Sequence, residues 1–139
     1  MPNNEEPQID NWKDAWEYNA AQTRDALLNY SEDQLLEVIA DGRSDMYCQI
    51  WHAIREKGTR EKAPAVLINY LSECSEEWMD LNRAHCLDSL MKILKIKNQN
   101  IIDDFYARVV QMSAQKMDFD LFQKGVKDLK EYINMIKGH

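Results

Sequence analysis

The sequence predicts an all-α fold of six or seven antiparallel helices, stacked as helical hairpins in an α-solenoid fragment or an irregular bundle. Apolar residues recur every three or four positions through most of the 139 residues, which is the periodicity of helices with one buried face. Only four Gly and three Pro are present, fewer than the turns of a β-rich fold require. Part of the apolar pattern recurs 36 residues later, as stacked hairpins require because each buries its apolar face on a neighbour.

Length and composition predict one soluble domain. A chain of 139 residues, with 45% apolar and 29% charged residues, has the size and balance of a single globular domain. Residues 1–8 are polar and contain Pro2 and Pro7, so we expect a flexible tail there. Residues 9–139 then form a single helical domain.

Two helices are predicted before residue 45. The first follows a candidate N-cap at Asp10, and its apolar stripe consists of Trp12, Trp16, Ala20, Thr23, Leu27 and Tyr30. The second begins at Ser31, which forms a capping box with Gln34. It ends at Gly42, a residue suited to the left-handed conformation that closes a helix.

The third and fourth predicted helices occupy residues 45–74. Ser44 or Asp45 caps the third helix and Gly58 ends it. Its apolar positions are Met46, Tyr47, Ile50, Trp51 and Ile54. Pro64 suits the first turn of the fourth helix, where its missing N–H is not needed. The buried side of that helix is predicted to be Ala65, Val66, Leu67, Tyr70 and Leu71.

Three further helices complete the prediction. Ser75 caps the fifth helix, whose apolar positions are Trp78, Leu81, Leu87, Leu90, Met91 and Leu94. The sixth runs from about Ile101 to Ala114. Asp118 caps the seventh, which carries the stripe Phe119, Phe122, Val126, Leu129, Ile133 and Ile136. Gly125 inside this helix costs about 1 kcal/mol relative to Ala, so we expect it to permit a close helix crossing.

The 36-residue correspondence pairs residues of the third and fourth helices with residues of the fifth and sixth: Ile50 with Cys86, Trp51 with Leu87, Ile54 with Leu90, Val66 with Ile102, and Tyr70 with Tyr106. In the second unit, Asp80 ends a turn and Arg83 precedes the small and apolar residues Ala84 and Leu87. This pattern resembles the HEAT-type repeat over residues 45–114, although the first unit has Tyr47 in place of the arginine. The resemblance implies a scaffold with a concave face for protein partners.

The net charge of −7 is concentrated in the first third of the chain. Residues 1–45 hold 11 Asp and Glu against 3 Lys and Arg, a net of −8, whereas residues 46–139 hold 13 against 14, a net of +1. An acidic surface repels phosphates, which argues against a nucleic-acid partner. It attracts basic proteins and speeds their association. The alternative is that these charges only keep the protein soluble.

The candidate partner-binding residues come from this acidic third. Trp12 and Trp16 lie among carboxylates near a terminus, as a tryptophan at a binding hot spot does, and their alternative role is packing under a neighbouring helix. The carboxylates occupy polar positions of helices whose apolar stripes face inward. The predicted contacts are therefore Asp10, Trp12, Asp14, Trp16, Glu17, Asp25, Glu32, Asp33, Glu37 and Asp41.

The sequence predicts no catalytic, cofactor or metal site. Cys48 and His52 share one helical face, but His85 and Cys86 are adjacent and point about 100° apart on a helix, so the four cannot easily reach one ion. There is no C-x-x-C spacing, glycine-rich phosphate loop or nucleophile elbow. Buried thiols and a hydrogen-bonded histidine are the expectation for these residues.

Three hypotheses for the function follow. The first is a non-enzymatic protein-binding module, such as a small acidic inhibitor or immunity-type protein that binds a basic toxin or nuclease. The second is a self-associating structural or adaptor protein, which includes a homodimer. The third, for which the residues form no coherent site, is an enzyme or a cofactor-binding bundle. Residues 1–10 lack a signal-peptide pattern and no apolar run reaches about 20 residues, so we expect a cytoplasmic protein without a membrane partner.

Overall fold

A computed structural model of the chain describes residues 30–41, 49–111 and 116–137. Within these ranges the secondary structure is helical throughout and contains no strand, which confirms the all-α prediction. The helices are α1 (Glu32–Ala40), α2 (Gln49–Lys57), α3 (Ala63–Glu73), α4 (Asp80–Ile93), α5 (Gln99–Phe105) and α6 (Phe119–Lys137). A 3₁₀ turn, Glu77–Met79, precedes α4, and α5 continues as a π-helix over Tyr106–Val110. The predicted first helix and the predicted cap at Gly42 lie outside the described residues.

The six helices form two layers. Helices α1, α3 and α6 lie side by side in the first layer, and α2, α4 and the π-helical end of α5 lie side by side in the second. Each helix of one layer packs on one of the other, in the pairs α1/α2, α3/α4 and the π-helix with α6. The core between the layers includes Leu35, Ile54, Leu67, Leu87 and Leu129, all fully buried. This arrangement gives each described helix an apolar face that is covered by a neighbour.

Side-chain contacts show that successive helices run in opposite directions. At one end, Lys57 Nζ of α2 donates to the carbonyl of Tyr30 before α1, and Arg60 donates to the carbonyl of Ile136 near the end of α6. At the other end, Arg83 near the start of α4 donates to the carbonyl of Val110, where the π-helix ends. These are called below the Lys57 end and the Arg83 end. The up-and-down order agrees with the prediction of antiparallel helices.

Several local signals in the sequence place helix boundaries correctly. The Ser31 hydroxyl accepts from the amide of Gln34 and the Gln34 side chain accepts from the amide of Ser31, the predicted capping box. Gly58 follows the last residue of α2, Pro64 lies in the first turn of α3, and Asp118 accepts from the amide of Leu121 at the start of α6. Each of these predictions is confirmed.

The start of α4 is different from the prediction. The helix begins at Asp80 rather than after Ser75, because Glu77–Met79 form a 3₁₀ turn whose N-cap position, Glu76, makes no side-chain cap. As a result Trp78 and Leu81, predicted to lie in the apolar stripe, are 69% and 57% exposed. Within α6, Phe119 is also exposed, whereas the stripe from Phe122 to Ile133 is buried.

The sixth predicted helix begins and ends earlier than predicted. Asn98 caps it, because its side-chain oxygen accepts from the amides of Asn100 and Ile101. The π-helix then ends at Gln111, which has a left-handed backbone with φ of 51°, before the predicted end at Ala114. A residue other than glycine in the left-handed conformation needs stabilising contacts, and the Gln111 side chain provides them. Its amide donates to the carbonyls of Arg108 and Asp118 and accepts from the amide of Asp118.

The 36-residue correspondence has a structural counterpart in only one of its two helix pairs. Trp51 and Leu87 are both buried on neighbouring helices of the second layer. Helices α3 and α5, however, lie in different layers. Tyr70 is accordingly buried against Trp51, with ring centroids 5.2 Å apart, whereas Tyr106 is half-buried. The resemblance to HEAT repeats therefore stays a prediction.

Arg83 is a fully buried cation that joins three segments of the chain. Its guanidinium donates to the carbonyls of Cys74 at 2.8 Å, Glu76 at 2.6 Å and Val110 at 3.0 Å, with Glu77 at 3.5 Å. Burial lowers the pKa of Arg83 from its ordinary value, yet an arginine remains charged at physiological pH. The charge is thus stabilised by backbone carbonyls at helix ends, which lack partners within their own helices.

Removal of Arg83 is expected to destabilise the fold strongly. Arg83→Met leaves several buried carbonyls unpaired, each costing about 1–3 kcal/mol, so we expect the free energy of unfolding to fall by about 3–5 kcal/mol. Arg83→Lys should lose somewhat less, because its ammonium still donates to some of these carbonyls, although it cannot reproduce the planar fork of the guanidinium. Urea denaturation measures both, with Arg60→Met as the control, since Arg60 is exposed and bonds one carbonyl. Equal losses for Arg83→Met and Arg60→Met would contradict this assignment.

Gly125 lies where α6 crosses the π-helix most closely. A Cβ placed on Gly125 would be 2.9 Å from Val109 Cγ2 and 3.1 Å from Arg108 Cβ, both closer than normal packing allows. The predicted close crossing at Gly125 is therefore confirmed. Beside it, Arg108 forms ion pairs with Asp128 of α6 and Asp104 of its own helix. Despite the opposing effect of burial, these hydrogen bonds raise the pKa of Arg108, and the Arg108 contact lowers that of Asp128.

Gly125→Ala is expected to destabilise the protein even though alanine is the better helix former. Overpacking against Val109 costs about 1–3 kcal/mol, which exceeds the gain of about 1 kcal/mol from helix propensity. In the double variant with Val109→Ala, the methyl that meets the new Cβ is absent. The double variant should then lose less than the sum of the two single variants, as measured by urea denaturation. An increase in stability for Gly125→Ala alone would contradict the close crossing.

Candidate protein-binding surface

The largest exposed apolar side chain in the described part of the chain is Trp78, in the turn before α4. Its 69% exposure exceeds that of Leu81 and of the other exposed large hydrophobic residues of the described part, Met135, Phe119 and Leu121. Exposed apolar residues that stand singly need no explanation, but adjacent ones point to a binding surface. Trp78 has such neighbours.

Trp78 lines an open cleft of about 470 Å³ at the Arg83 end. We call it the Trp78 cleft; its lining residues are Ser75, Glu76, Glu77, Trp78, Met117 and Phe119. The segment before α6 is held against the turn because the amide of Met117 donates to Glu77 Oε1 at 3.2 Å. Two distant parts of the chain therefore meet to form one surface, and each part contributes an aromatic side chain, Trp78 or Phe119.

The charge around the Trp78 cleft is negative. Glu76 and Glu77 line it and are exposed, and no lysine or arginine is among those of its lining residues that the structure describes. Asp118 and Asp120 flank Phe119 on the other side. An apolar floor beside exposed carboxylates favours a partner that combines an apolar side chain with positive charge.

Hydrogen bonds on both sides fix the geometry of this surface. Arg83 holds the carbonyls of Cys74, Glu76 and Glu77, and so fixes the turn that carries Trp78. On the other side, the reciprocal hydrogen bonds between Gln111 and Asp118 fix the entry to α6. A surface that is already ordered loses less entropy on binding.

The structure places four of the ten residues predicted to bind a partner. Glu32 accepts from the amide and hydroxyl of Thr59, and Asp33 forms an ion pair with Lys62 at 3.1 Å, so both carboxylates have intramolecular partners. Glu37 is exposed on α1, and Asp41 is exposed at the C-cap of that helix. The other six, Asp10, Trp12, Asp14, Trp16, Glu17 and Asp25, lie outside the described residues. Their role in binding stays a prediction.

The sequence contained the signal that identifies Trp78. Neighbouring carboxylates mark Trp12 and Trp16 as hot-spot candidates, and Trp78 follows Glu76 and Glu77 and precedes Asp80 in the same way. The helical spacing of Trp78 from Leu81 instead favours an assignment to the core. That assignment is wrong because the residue belongs to the 3₁₀ turn and not to α4.

A second group of polar side chains joins α2 to α4 on the second layer. Arg55 Nε donates to Ser89 Oγ at 3.0 Å, and the Ser89 hydroxyl donates to the carbonyl of His85 at 2.7 Å. Burial lowers the pKa of His85, assisted by the charge of Arg55, and burial raises the pKa of Asp88 and of Tyr106. Because the serine proton is directed to a backbone carbonyl, Ser89 is not activated as a nucleophile. The group acts as a structural network.

The thiols and histidines of the described residues do not converge on an ion. Cys86 is fully buried, its Sγ donates to the carbonyl of Leu67 at 3.1 Å, and burial raises its pKa well above the ordinary value. Cys74 is also buried, and His52 and His85 are half-buried. Over the described ranges, no group of three or more His, Cys, Asp or Glu side chains is arranged to hold a metal. Cys48 lies outside these ranges.

Comparison with known proteins gives no relative. No protein-family model, curated protein or solved structure matches the chain. Over the residues that the structure describes, no helix has both the length and the apolar character to cross a membrane. The surface described above therefore carries the functional argument.

The pKa of His85 predicts a pH dependence of stability. Above about pH 6.5 the histidine is neutral in the folded and unfolded chains, so burial of its side chain carries no penalty for a charged form. Below that pH the unfolded chain binds the proton first, and wild type should lose stability relative to His85→Gln. Thermal midpoints of both proteins at about pH 8 and pH 5.5 measure this difference.

The variant Arg55→Gln tests the physical cause. Removal of the Arg55 charge takes away one of the two influences that lower the pKa of His85. In that background the extra loss below pH 6.5 should be smaller. A stability difference between wild type and His85→Gln that is the same at both pH values would contradict the lowered pKa.

Proposed function

We propose that this chain is a non-enzymatic protein-binding module and that the Trp78 cleft receives an apolar side chain of a basic partner. The observation that carries the proposal is the exposure of Trp78 in a turn fixed by the buried guanidinium of Arg83. A large aromatic in a fixed, carboxylate-ringed cleft has the composition of a binding hot spot.

Apolar burial supplies the larger part of the affinity in this proposal. A tryptophan buries roughly 150–250 Å² when fully covered. The exposed two-thirds of Trp78 would then contribute about 3–4 kcal/mol at about 25 cal/mol per Å², before the costs of association. Exposed ion pairs contribute about 0–1 kcal/mol each, so Glu76 and Glu77 act mainly in selecting the sign of the partner's charge.

The acidic first third of the chain has a complementary role in this proposal. With a net charge of −8 over residues 1–45, it would attract a basic protein over distances up to the Debye length of about 8–10 Å and raise the association rate. A small acidic inhibitor or immunity-type protein that binds a basic toxin or nuclease is the class that combines these features. Self-association through the Trp78 cleft is disfavoured, because Glu76 and Glu77 of two copies would repel.

The matched variants Trp78→Asp and Met135→Asp test the proposal. Both replace an exposed apolar residue with a carboxylate, but Met135 lies on α6 and is not part of the Trp78 cleft. Proteins from the native cell that wild type and Met135→Asp retain should be absent with Trp78→Asp. With the purified partner, Trp78→Asp should raise the dissociation constant by about 30-fold or more, the effect of a hot-spot residue. Circular dichroism and urea midpoints verify that both variants fold.

Two results would overturn the proposal. Retention of the same partner with unchanged affinity by Trp78→Asp would show that the interface lies elsewhere. A dimer of wild type in sedimentation velocity that Trp78→Asp converts to a monomer would show self-association instead. If the association rate falls with salt while Trp78→Asp raises the dissociation rate, the separate roles of charge and apolar burial are both supported.

A further inference from the structure

A second depression lies on the first layer, between α3 and α6, and is separate from the Trp78 cleft. One part, about 290 Å³, runs from Pro64 and Lys137 to Ser72 and Val126. The next part, about 310 Å³, shares Ser72, Val126 and Lys130 with it and continues to Phe122. We call the two together the α3–α6 groove. From Phe122 to Lys137 it follows α6 for about 22 Å at 1.5 Å per residue.

The groove has an apolar floor and a basic wall. Ile68 of α3 and Val126 and Ile133 of α6 form the floor. The wall is a stripe of exposed residues that recur on α6 at alternating spacings of four and three: Gln123, Lys127, Lys130, Asn134 and Lys137. Among the described residues that line the two parts of the groove there is no aspartate or glutamate, although the whole chain carries a net charge of −7.

The three lysines of this wall are available to a partner. Within the described residues, the ion pairs of the surface use Lys62, Lys92 and Arg108, and none uses Lys127, Lys130 or Lys137. On the opposite wall, the side chains of Ala65 and Ser72 are small, so a partner's backbone can approach α3 closely. Charge and shape therefore both favour an acidic occupant that lies lengthwise.

We propose that the α3–α6 groove binds an acidic amphipathic helix of a partner protein. A groove between two packed helices accepts a third helix by the same ridge-into-groove packing, with apolar residues at three- and four-residue spacing toward the floor. Carboxylates on the flank of that helix face Lys127, Lys130 and Lys137. The groove shares no lining residue with the Trp78 cleft, and the charge of its proposed ligand is opposite, so this proposal does not depend on the proposed function.

The test uses a fluorescein-labelled 18-residue peptide with Leu at helical spacing and Glu at the remaining positions. The groove variant replaces Lys127, Lys130 and Lys137 with Glu. The control variant replaces Lys95, Lys97 and Lys116, which are exposed and outside the groove, with Glu. Fluorescence anisotropy at low salt should show about tenfold weaker binding or more for the groove variant and less than about threefold for the control, because close charge pairs exceed long-range effects.

A third variant tests shape without changing charge. Ser72→Tyr places an aromatic ring where the two parts of the groove meet, at an exposed position. We expect it to abolish peptide binding while Trp78→Asp leaves that binding unchanged. A peptide with Gln in place of Glu should bind at least about tenfold more weakly to wild type.

Four outcomes would overturn the groove proposal. Three are binding results: equal losses of peptide affinity in the groove and control variants, full peptide affinity in Ser72→Tyr, and equal affinity of wild type for the Gln and Glu peptides. The fourth is an NMR titration with the peptide in which the amide shift changes map to the Trp78 cleft. A wild-type dimer that the groove variant converts to a monomer would replace the partner helix with a second copy. The test of the proposed function uses the native partner and Trp78→Asp rather than this peptide, so failure here and failure of the proposed function are distinguishable.

Discussion

The buried guanidinium of Arg83 is the constraint on which the rest of the structure depends. The segment from Cys74 to Glu77 lies between α3 and α4, and the π-helix ends at Val110. Both therefore have backbone carbonyls without helical partners at the same end of the two layers. Five N–H donors in one plane satisfy carbonyls of both segments at once. The contact therefore determines where α4 begins, where α5 ends and how the turn bearing Trp78 is oriented.

The third hairpin, α5 and α6, differs from the first two, α1/α2 and α3/α4, in the order of its layers. In the first two hairpins the leading helix lies in the first layer, but α5 lies in the second layer beside α4, and α6 returns to the first. Gly125 allows α6 to approach the π-helix, and the ion pair between Arg108 and Asp128 joins the same two segments. A correspondence of apolar residues records which positions are buried, but not the layer in which a helix lies.

Local signals were readable from the sequence where a few neighbouring residues decide the outcome. The capping box of Ser31 and Gln34, the end of α2 at Gly58 and the cap at Asp118 each depend on contacts within four residues. The exposure of Trp78 depends instead on Arg83 and on a segment 40 residues away, since Met117 bonds Glu77. Periodicity gives no information on such contacts, so the candidate site was the part that sequence reasoning missed.

The net charge of −7 conceals surfaces of opposite sign. The α3–α6 groove presents lysines along one edge of α6, while the other edge pairs Asp128 with Arg108 in the interior contact. The Trp78 cleft, at the start of the same helix, presents carboxylates around an aromatic floor. Because exposed charges act over only about 8–10 Å in physiological salt, each surface presents its own local charge to a partner rather than the average of the chain. The two proposals therefore assign partners of opposite charge to separate surfaces of one domain.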